Sequence, residues 1–278
     1  MPPVTDAHVH LWTDDHVRYP RAAGQRDYPP PRFVPADLFA HSKPAGVSKI
    51  VLIQMSFYRF DNSYMLHCMR EHPGVFGGVG IVDSEAPDPG QAPGQAPGQA
   101  MKALAAQGVR GFRVVGSPDT PGIHAMWRTA AAENLAICAL LGPEALPYLD
   151  RMCRQYPATP VVIDHLARIG ADGTIRDSDI RLLSALARHP LVKVKASAFY
   201  ALGKKAAPYT DLKPLFRRVF EDFGPRRLMW ASDCPFQVGE GHQYAPSLAL
   251  ITEHMPFLSA DDRDWILRRT AESVFFRP

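Results

Sequence analysis

Apolar residues in this chain fall into short, nearly continuous runs separated by longer stretches in which they recur every three or four positions. Runs of the first kind are Val4–His10, Lys49–Gln54, Phe76–Val82, Val109–Val115, Leu135–Leu141, Pro160–His165, Leu191–Ser197 and Arg227–Asp233. They predict strands buried on both faces of a parallel sheet. The intervening segments Leu66–His72, Met101–Gln107, His124–Glu133, Ala145–Tyr156, Ile180–Arg188 and Leu212–Phe223 carry helical spacing. Gly108 and Gly224 follow two of them, where a helix stops. Asp261-Asp262-Arg263 opens a last helix, with Asp261 as N-cap or first-turn acid.

About eight strands, each followed by a helix, predict an α/β chain folded as one TIM-like (β/α)₈ barrel over residues 1–278. A doubly wound open sheet is the alternative. No Gly-rich phosphate fingerprint follows the first strand, which weighs against its dinucleotide-binding version.

Two segments break the alternation. Leu11–Pro35 is a long loop containing Tyr19, Arg26, Tyr28 and the run Pro29-Pro30-Pro31. On a barrel it would lie over the mouth, as a functional cover or as packed surface. Residues 89–100 repeat Pro-Gly-Gln-Ala three times. Proline and glycine every four residues predict an irregular insert with no helix and no function.

Composition narrows the class. A hydrophobic fraction of 46% and a charged fraction of 21% in 278 residues suit a globular protein with a large core. The net charge of +3 is small and its basic residues are scattered, so nucleic acid is not an expected partner. No apolar run is long enough to span a bilayer, and the N-terminus lacks the apolar core of a secretory signal. Cys68, Cys138, Cys153 and Cys234 show neither metal-knuckle nor redox spacing. Reduced thiols and a cytoplasmic location are expected, as monomer or homodimer.

Candidate chemistry sits where strands end. In a strand, His8 and His10 point the same way, about 7 Å apart along one face. His165 and Asp233 end two other strand-like runs. Together the four suit one divalent ion such as Zn²⁺ or Mn²⁺. They suit metal-free chemistry equally, with Asp233 as base and the histidines polarising a carbonyl. Arg113 and Lys195 lie inside apolar runs, where an unpaired cation is costly. Each either holds a substrate anion at the mouth or pairs with a neighbouring strand. Ser197 offers a hydroxyl beside Lys195, and Gln54 an amide to the same cavity. Cys234, beside Asp233, lacks the surroundings of an activated thiolate.

Three blocks carry a resemblance. Asp6-Ala7-His8-Val9-His10-Leu11-Trp12, Val162-Ile163-Asp164-His165-Leu166-Ala167-Arg168 and Trp230-Ala231-Ser232-Asp233-Cys234-Pro235-Phe236 resemble the signature blocks of the amidohydrolase-related family in the amidohydrolase superfamily. The branch they resemble contains 2-pyrone-4,6-dicarboxylate lactonase and the sugar lactonases. The resemblance implies a distorted barrel with its site at the C-terminal ends of the strands. It implies hydrolysis of a lactone or related carbonyl, with His8, His10, His165 and Asp233 at the centre. Tyr28 is similar to a loop tyrosine that binds pyrone dicarboxylate in that branch, and Asp61-Asn62 also resembles it. Strand five ends without His, Lys or Glu, so two bridged metals are not expected.

The expected function is hydrolysis of a small polar or acidic lactone, with no cofactor or with one divalent ion. The rivals are a one-metal decarboxylase or hydratase of the same superfamily, and a barrel that binds a ligand without turnover.

Overall fold

The computed structural model describes residues 3–85 and 96–277. Eight parallel strands follow one another in chain order: β1 (Val4–Val9), β2 (Val47–Ile53), β3 (Phe76–Gly80), β4 (Val109–Val115), β5 (Ala136–Leu140), β6 (Val161–Ile163), β7 (Val192–Ala196) and β8 (Leu228–Trp230). Closure comes just past β8: Asp233 N–H donates to the His8 carbonyl at 2.9 Å, and His10 N–H to the Cys234 carbonyl at 2.8 Å. The helices are α1 (Pro35–Ser42), α2 (Ser63–Glu71), α3 (Pro97–Ala105), α4 (Pro121–Ala132), α5 (Leu146–Gln155), α6 (Asp177–Ala185), α7 (Lys213–Phe223) and α8 (Tyr244–Thr252). This is the (β/α)₈ barrel that the alternation predicts. No described helix is long and apolar enough to cross a membrane.

Two apolar cores form because the strands are buried on both faces. The larger lies between sheet and helices, with Leu38, Met101, Trp127, Leu149, Leu183 and Phe216 among its buried side chains. The smaller fills the barrel with Ala7, Val51, Val79, Cys138, Val162 and Met229. A C-terminal segment stoppers it: α9 (Ala260–Asp264), a π-helical turn (Trp265–Arg269) and α10 (Thr270–Phe275). Phe275 joins the inner core because two strands leave it room. A Cβ on Gly77 would stand 3.1 Å from the Phe275 carbonyl oxygen, and one on Gly111 3.2 Å from its ring.

Several boundaries differ from the sequence expectation. Helix α3 begins at Pro97, inside the third Pro-Gly-Gln-Ala unit, so the repeat does not exclude a helix. Proline at the first helical position loses no intrahelical hydrogen bond. The rest of the insert before Ala96 lies outside the described residues. The last helix is capped by Ser259, whose hydroxyl accepts from Asp262 N–H; Asp261 is a first-turn acid.

The 11–34 loop is packed down. Trp12 is fully buried, donates from Nε1 to the Pro30 carbonyl at 2.9 Å and stands edge-on to Phe57 at 5.8 Å. An antiparallel bridge joins Trp12 to Phe33. Tyr28 rests on Phe57 and Phe236, with ring centres 6.3 and 5.8 Å away.

Candidate active site

The two β1 histidines converge because Asp6 interrupts the ladder. Its buried carboxylate takes the His8 N–H at 3.2 Å and the Ser232 N–H at 2.9 Å through Oδ1. Its Oδ2 accepts from the Tyr244 hydroxyl at 2.7 Å. The β1–β2 register shifts between Asp6 and Val9. Beyond that shift the Nε2 atoms of His8 and His10 lie 3.2 Å apart.

A second break sits after β6. Alternation would put Asp164 and His165 on opposite faces. Instead His165, Leu166, Ala167 and Arg168 all take φ between 50° and 55°. A left-handed residue with a Cβ costs roughly 1–2 kcal/mol, and such strain gathers at functional sites. Its effect here is to direct both neighbours inward. His165 meets the Ser197 hydroxyl through Nδ1 at 2.8 Å, and its ring lies 4.5 Å from that of His8. Asp233 has φ 69° and Ala198 φ 54°, so the ends of β6, β7 and β8 are all strained.

The four sequence-selected residues meet at one point. Asp233 Oδ1 lies 3.5 Å from His8 Nε2 and 3.6 Å from His10 Nε2; Oδ2 lies 3.9 Å from His165 Nε2. Oδ1 is buried with no hydrogen-bond partner, while Oδ2 accepts from the Tyr200 hydroxyl at 2.7 Å. His10 donates from Nδ1 to the Ile53 carbonyl at 2.9 Å, so its Nε2 carries a lone pair. Two facing lone pairs 3.2 Å apart would repel, so a proton or a metal ion belongs between these nitrogens. Lys195, which can only donate, reaches His8 Nδ1 at 3.2 Å and thereby places the His8 proton on Nε2. Asp164 Oδ1, 3.5 Å from the same Nδ1, can instead take a proton there and free Nε2 for a metal. One ring nitrogen each of His8 and His165 and a carboxylate oxygen of Asp233 lie within 4.8 Å of one another, and His10 Nε2 stands 3.2 Å from His8 Nε2 and 3.6 Å from Asp233 Oδ1. His8, His165 and Asp233 therefore fit one divalent cation, with His10 beside them.

Arg113 and Lys195 both reach Asp164. Lys195 Nζ is 3.1 Å from its Oδ1, and Arg113 Nη2 is 3.5 Å from its Oδ2. Lys195 is completely enclosed beneath His8, with the Phe275 ring 5.5 Å below it. Arg113 keeps a buried Nε without a partner. Ser197 touches His165, and Gln54 donates to the Asp61 carbonyl at 2.6 Å, which ties down the loop after β2. Tyr28 stands at the mouth with Phe236, whose ring meets His10 at 5.7 Å.

Burial and charge set the protonation states. Burial, reinforced by Lys195 for His8 and by Arg113 for His10, pushes both imidazoles well below their ordinary value. Burial brings His165 down to about 3, against the pull of Asp164. All three are neutral near pH 7, as metal ligands must be. Burial also raises Asp233 to about 7, partly opposed by Tyr200 and Arg113. Burial alone would raise Asp164 too, but Lys195, His8 and Arg113 hold it well below the usual carboxylate range. Burial pushes the Cys234 thiol far up, so it offers no thiolate.

Asp164, Tyr200 and Asp6 are the site residues that sequence reasoning missed. Asp164 and Asp6 stand inside two of the quoted blocks, but their partners come from other strands. Tyr200 lies in a three-residue 3₁₀ turn after β7 (Phe199–Ala201), too short to carry a periodic signal.

Comparison with known proteins finds relatives over most of this chain. An L-fucono-1,5-lactonase of Burkholderia ambifaria is 30% identical over 252 residues, covering 85% of this chain and 82% of the relative. A 2-pyrone-4,6-dicarboxylate hydrolase of Comamonas testosteroni is 28% identical over 269 residues, covering 91% and 83%. The solved structure of a probable 2-pyrone-4,6-dicarboxylic acid hydrolase from Acinetobacter baumannii, with citric acid bound, shares the fold with a TM-score of 0.82 at 21% identity over 99% of each chain. The amidohydrolase family profile matches residues 5–277, which takes in every strand end described above except the first residue of β1, and the chain belongs to the amidohydrolase family.

Proposed function

We propose that this protein opens a small lactone by attack of water on the ring carbonyl. The observation that carries the reading is the Asp233 carboxylate: raised to about 7, buried, and with an unpartnered Oδ1 facing two neutral imidazoles. Two relatives that act on lactones or pyrones support the choice of substrate. Asp233 Oδ1 takes a proton from water, the hydroxide adds to the carbonyl carbon, and the ring C–O bond breaks. The proton held on Asp233 then passes to the departing alkoxide, so the carboxylate is regenerated. Without a metal, His10 Nε2 has no proton to give, so hydrogen bonding to the developing oxyanion falls to His8 and His165. A divalent ion held by His8, His165 and Asp233, with His10 as a further candidate ligand, would act there as a Lewis acid and acidify its bound water.

The remaining residues divide into supports and contacts. Lys195 and Asp164 set the tautomer of His8 in opposite senses, Lys195 placing its proton on Nε2 and Asp164 on Nδ1, and Ser197 fixes the ring of His165. Arg113 is the candidate contact for a substrate carboxylate, because its Nε lacks a partner and its bond to Asp164 is long. Tyr28 closes the mouth over the ring.

A panel of sugar lactones and carboxylated lactones tests the reading, with ring opening followed by proton release. Asp233→Asn should lower kcat by about 10²–10⁴-fold while the thermal melt shows a folded protein. A near-normal kcat in that variant sinks the mechanism. Arg113→Met should weaken kcat/KM for a carboxylated lactone by about 2–5 kcal/mol, the scale for removing one partner of a buried charge pair. A neutral lactone of similar size should lose much less; equal losses would assign Arg113 to the fold.

A further inference from the structure

Beside the catalytic group lies a cavity of about 870 Å³, between the 29–33 segment and the loop after β8. Its volume is in the upper range for small-molecule pockets and exceeds what a bare five- or six-membered ring fills. It adjoins the reaction centre at two side chains. Tyr200 lines it and donates to Asp233; Phe236 lines it and packs on His10.

The wall is apolar and short of donors. Pro29, Pro30 and Pro31 form one side, and prolines have no N–H to offer. Phe33, Pro235 and Val238 extend the same surface. The charged groups are engaged or outward. Asp37 accepts from Val34 N–H at 3.0 Å, and His242 meets the Tyr209 hydroxyl at 3.2 Å. Arg32 and Asp14 are more than half exposed and 4.0 Å apart, and Glu240 is exposed. His41 lies against the Phe33 ring. Nothing inside the cavity prepares it for a second anion. Arg113, the candidate anion contact, belongs to β4, across the barrel from β8 in strand order.

We propose that this cavity is a subsite for an apolar arm on the lactone ring. The preferred substrate is then two-sided: any acid group points towards Arg113, and a short alkyl or aryl substituent points over β8 into the cavity. The inference rests on the lactonase reading and adds the substituent class to it.

The test uses γ-lactones whose ring substituent grows from methyl to hexyl, and the matching γ-lactams as ligands that need no turnover. In the native protein, kcat/KM for the lactones and affinity for the lactams should each rise about three- to fourfold per added methylene until the arm is enclosed, the scale of burying one CH₂. Gly239→Phe narrows the cavity without backbone strain: residue 239 has φ −91°, and a Cβ there meets nothing closer than 3.6 Å. In that variant, and in Val238→Trp as a second filling change, the ratio of long-armed to methyl substrate should fall towards one. Lactam affinities that ignore arm length, or ratios that both variants leave unchanged, overturn the subsite. If no lactone opens while lactam affinity still climbs with arm length and falls in the variants, the lactonase reading fails and the subsite stands.

Discussion

Asp233 and Tyr200 show how one residue's neighbours set its chemistry. A carboxylate raised to about 7 is mostly protonated in mild acid, so kcat/KM of the metal-free protein should climb with pH through about 7 and level above it. The Tyr200 hydroxyl bond favours the charged form and opposes the burial that raises Asp233. Tyr200→Phe should therefore move the acid limb to higher pH, with the plateau rate reduced far less than in Asp233→Asn. A limb that stays in place would mean that the hydroxyl does not tune the base. Stability follows with the opposite preference. The charged carboxylate disfavours the fold, an effect absent below the unfolded value near 3.8 and complete above about 7. Asp233→Asn should accordingly melt higher than the native protein at pH 8 and show little gain at pH 4.

At the scale of elements, helix starts are where local pattern and structure part. Helices α3 and α4 both open on proline, at Pro97 and Pro121, a few residues before the amphipathic spacing becomes legible. Proline and glycine read as breakers unless the chain before them is known to be extended. Helix α8, Tyr244–Thr252, is apolar nearly throughout and so shows no helical period. In α3, Gly98 is a packing position: a Cβ there would stand 2.6 Å from Thr129 Oγ1 on α4. Gly98→Val should cost about 1–3 kcal/mol by overpacking this contact, measured by urea denaturation, while Gln99→Ala on the exposed face should be near neutral. Equal stabilities would show that α3 and α4 have slack where they cross.

For the molecule as a whole, the barrel depends on a stopper supplied by its last turn of helix. Phe275 is 2% exposed, fills the space left by Gly77 and Gly111, and lies under Lys195. Phe275→Ala should destabilise the fold by about 3–5 kcal/mol, as for other buried aromatic truncations, read as a lowered Tm. A loss below about 1 kcal/mol would mean that the inner core closes without it. The stopper sits at the N-terminal end of the strands and the chemistry at the other end. This is the division of labour between stability and function expected of the architecture.

Strand positions and the candidacy of His8, His10, His165 and Asp233 were legible locally, because side-chain alternation and apolar runs are properties of a few consecutive residues; the order of the sheet needed the fold. The tertiary structure decided what those residues do to each other. Lys195 and Arg113 look alike in the sequence, as cations in apolar runs. Folding encloses one beneath His8 and leaves the other with a free Nε. Asp164 gains its partners from β1, β4 and β7, and Asp6 joins Tyr244 across 238 positions of chain. The strained turn after β6 is equally invisible beforehand, since left-handed Leu, Ala and Arg contradict their own preferences and persist only because the surrounding barrel holds them.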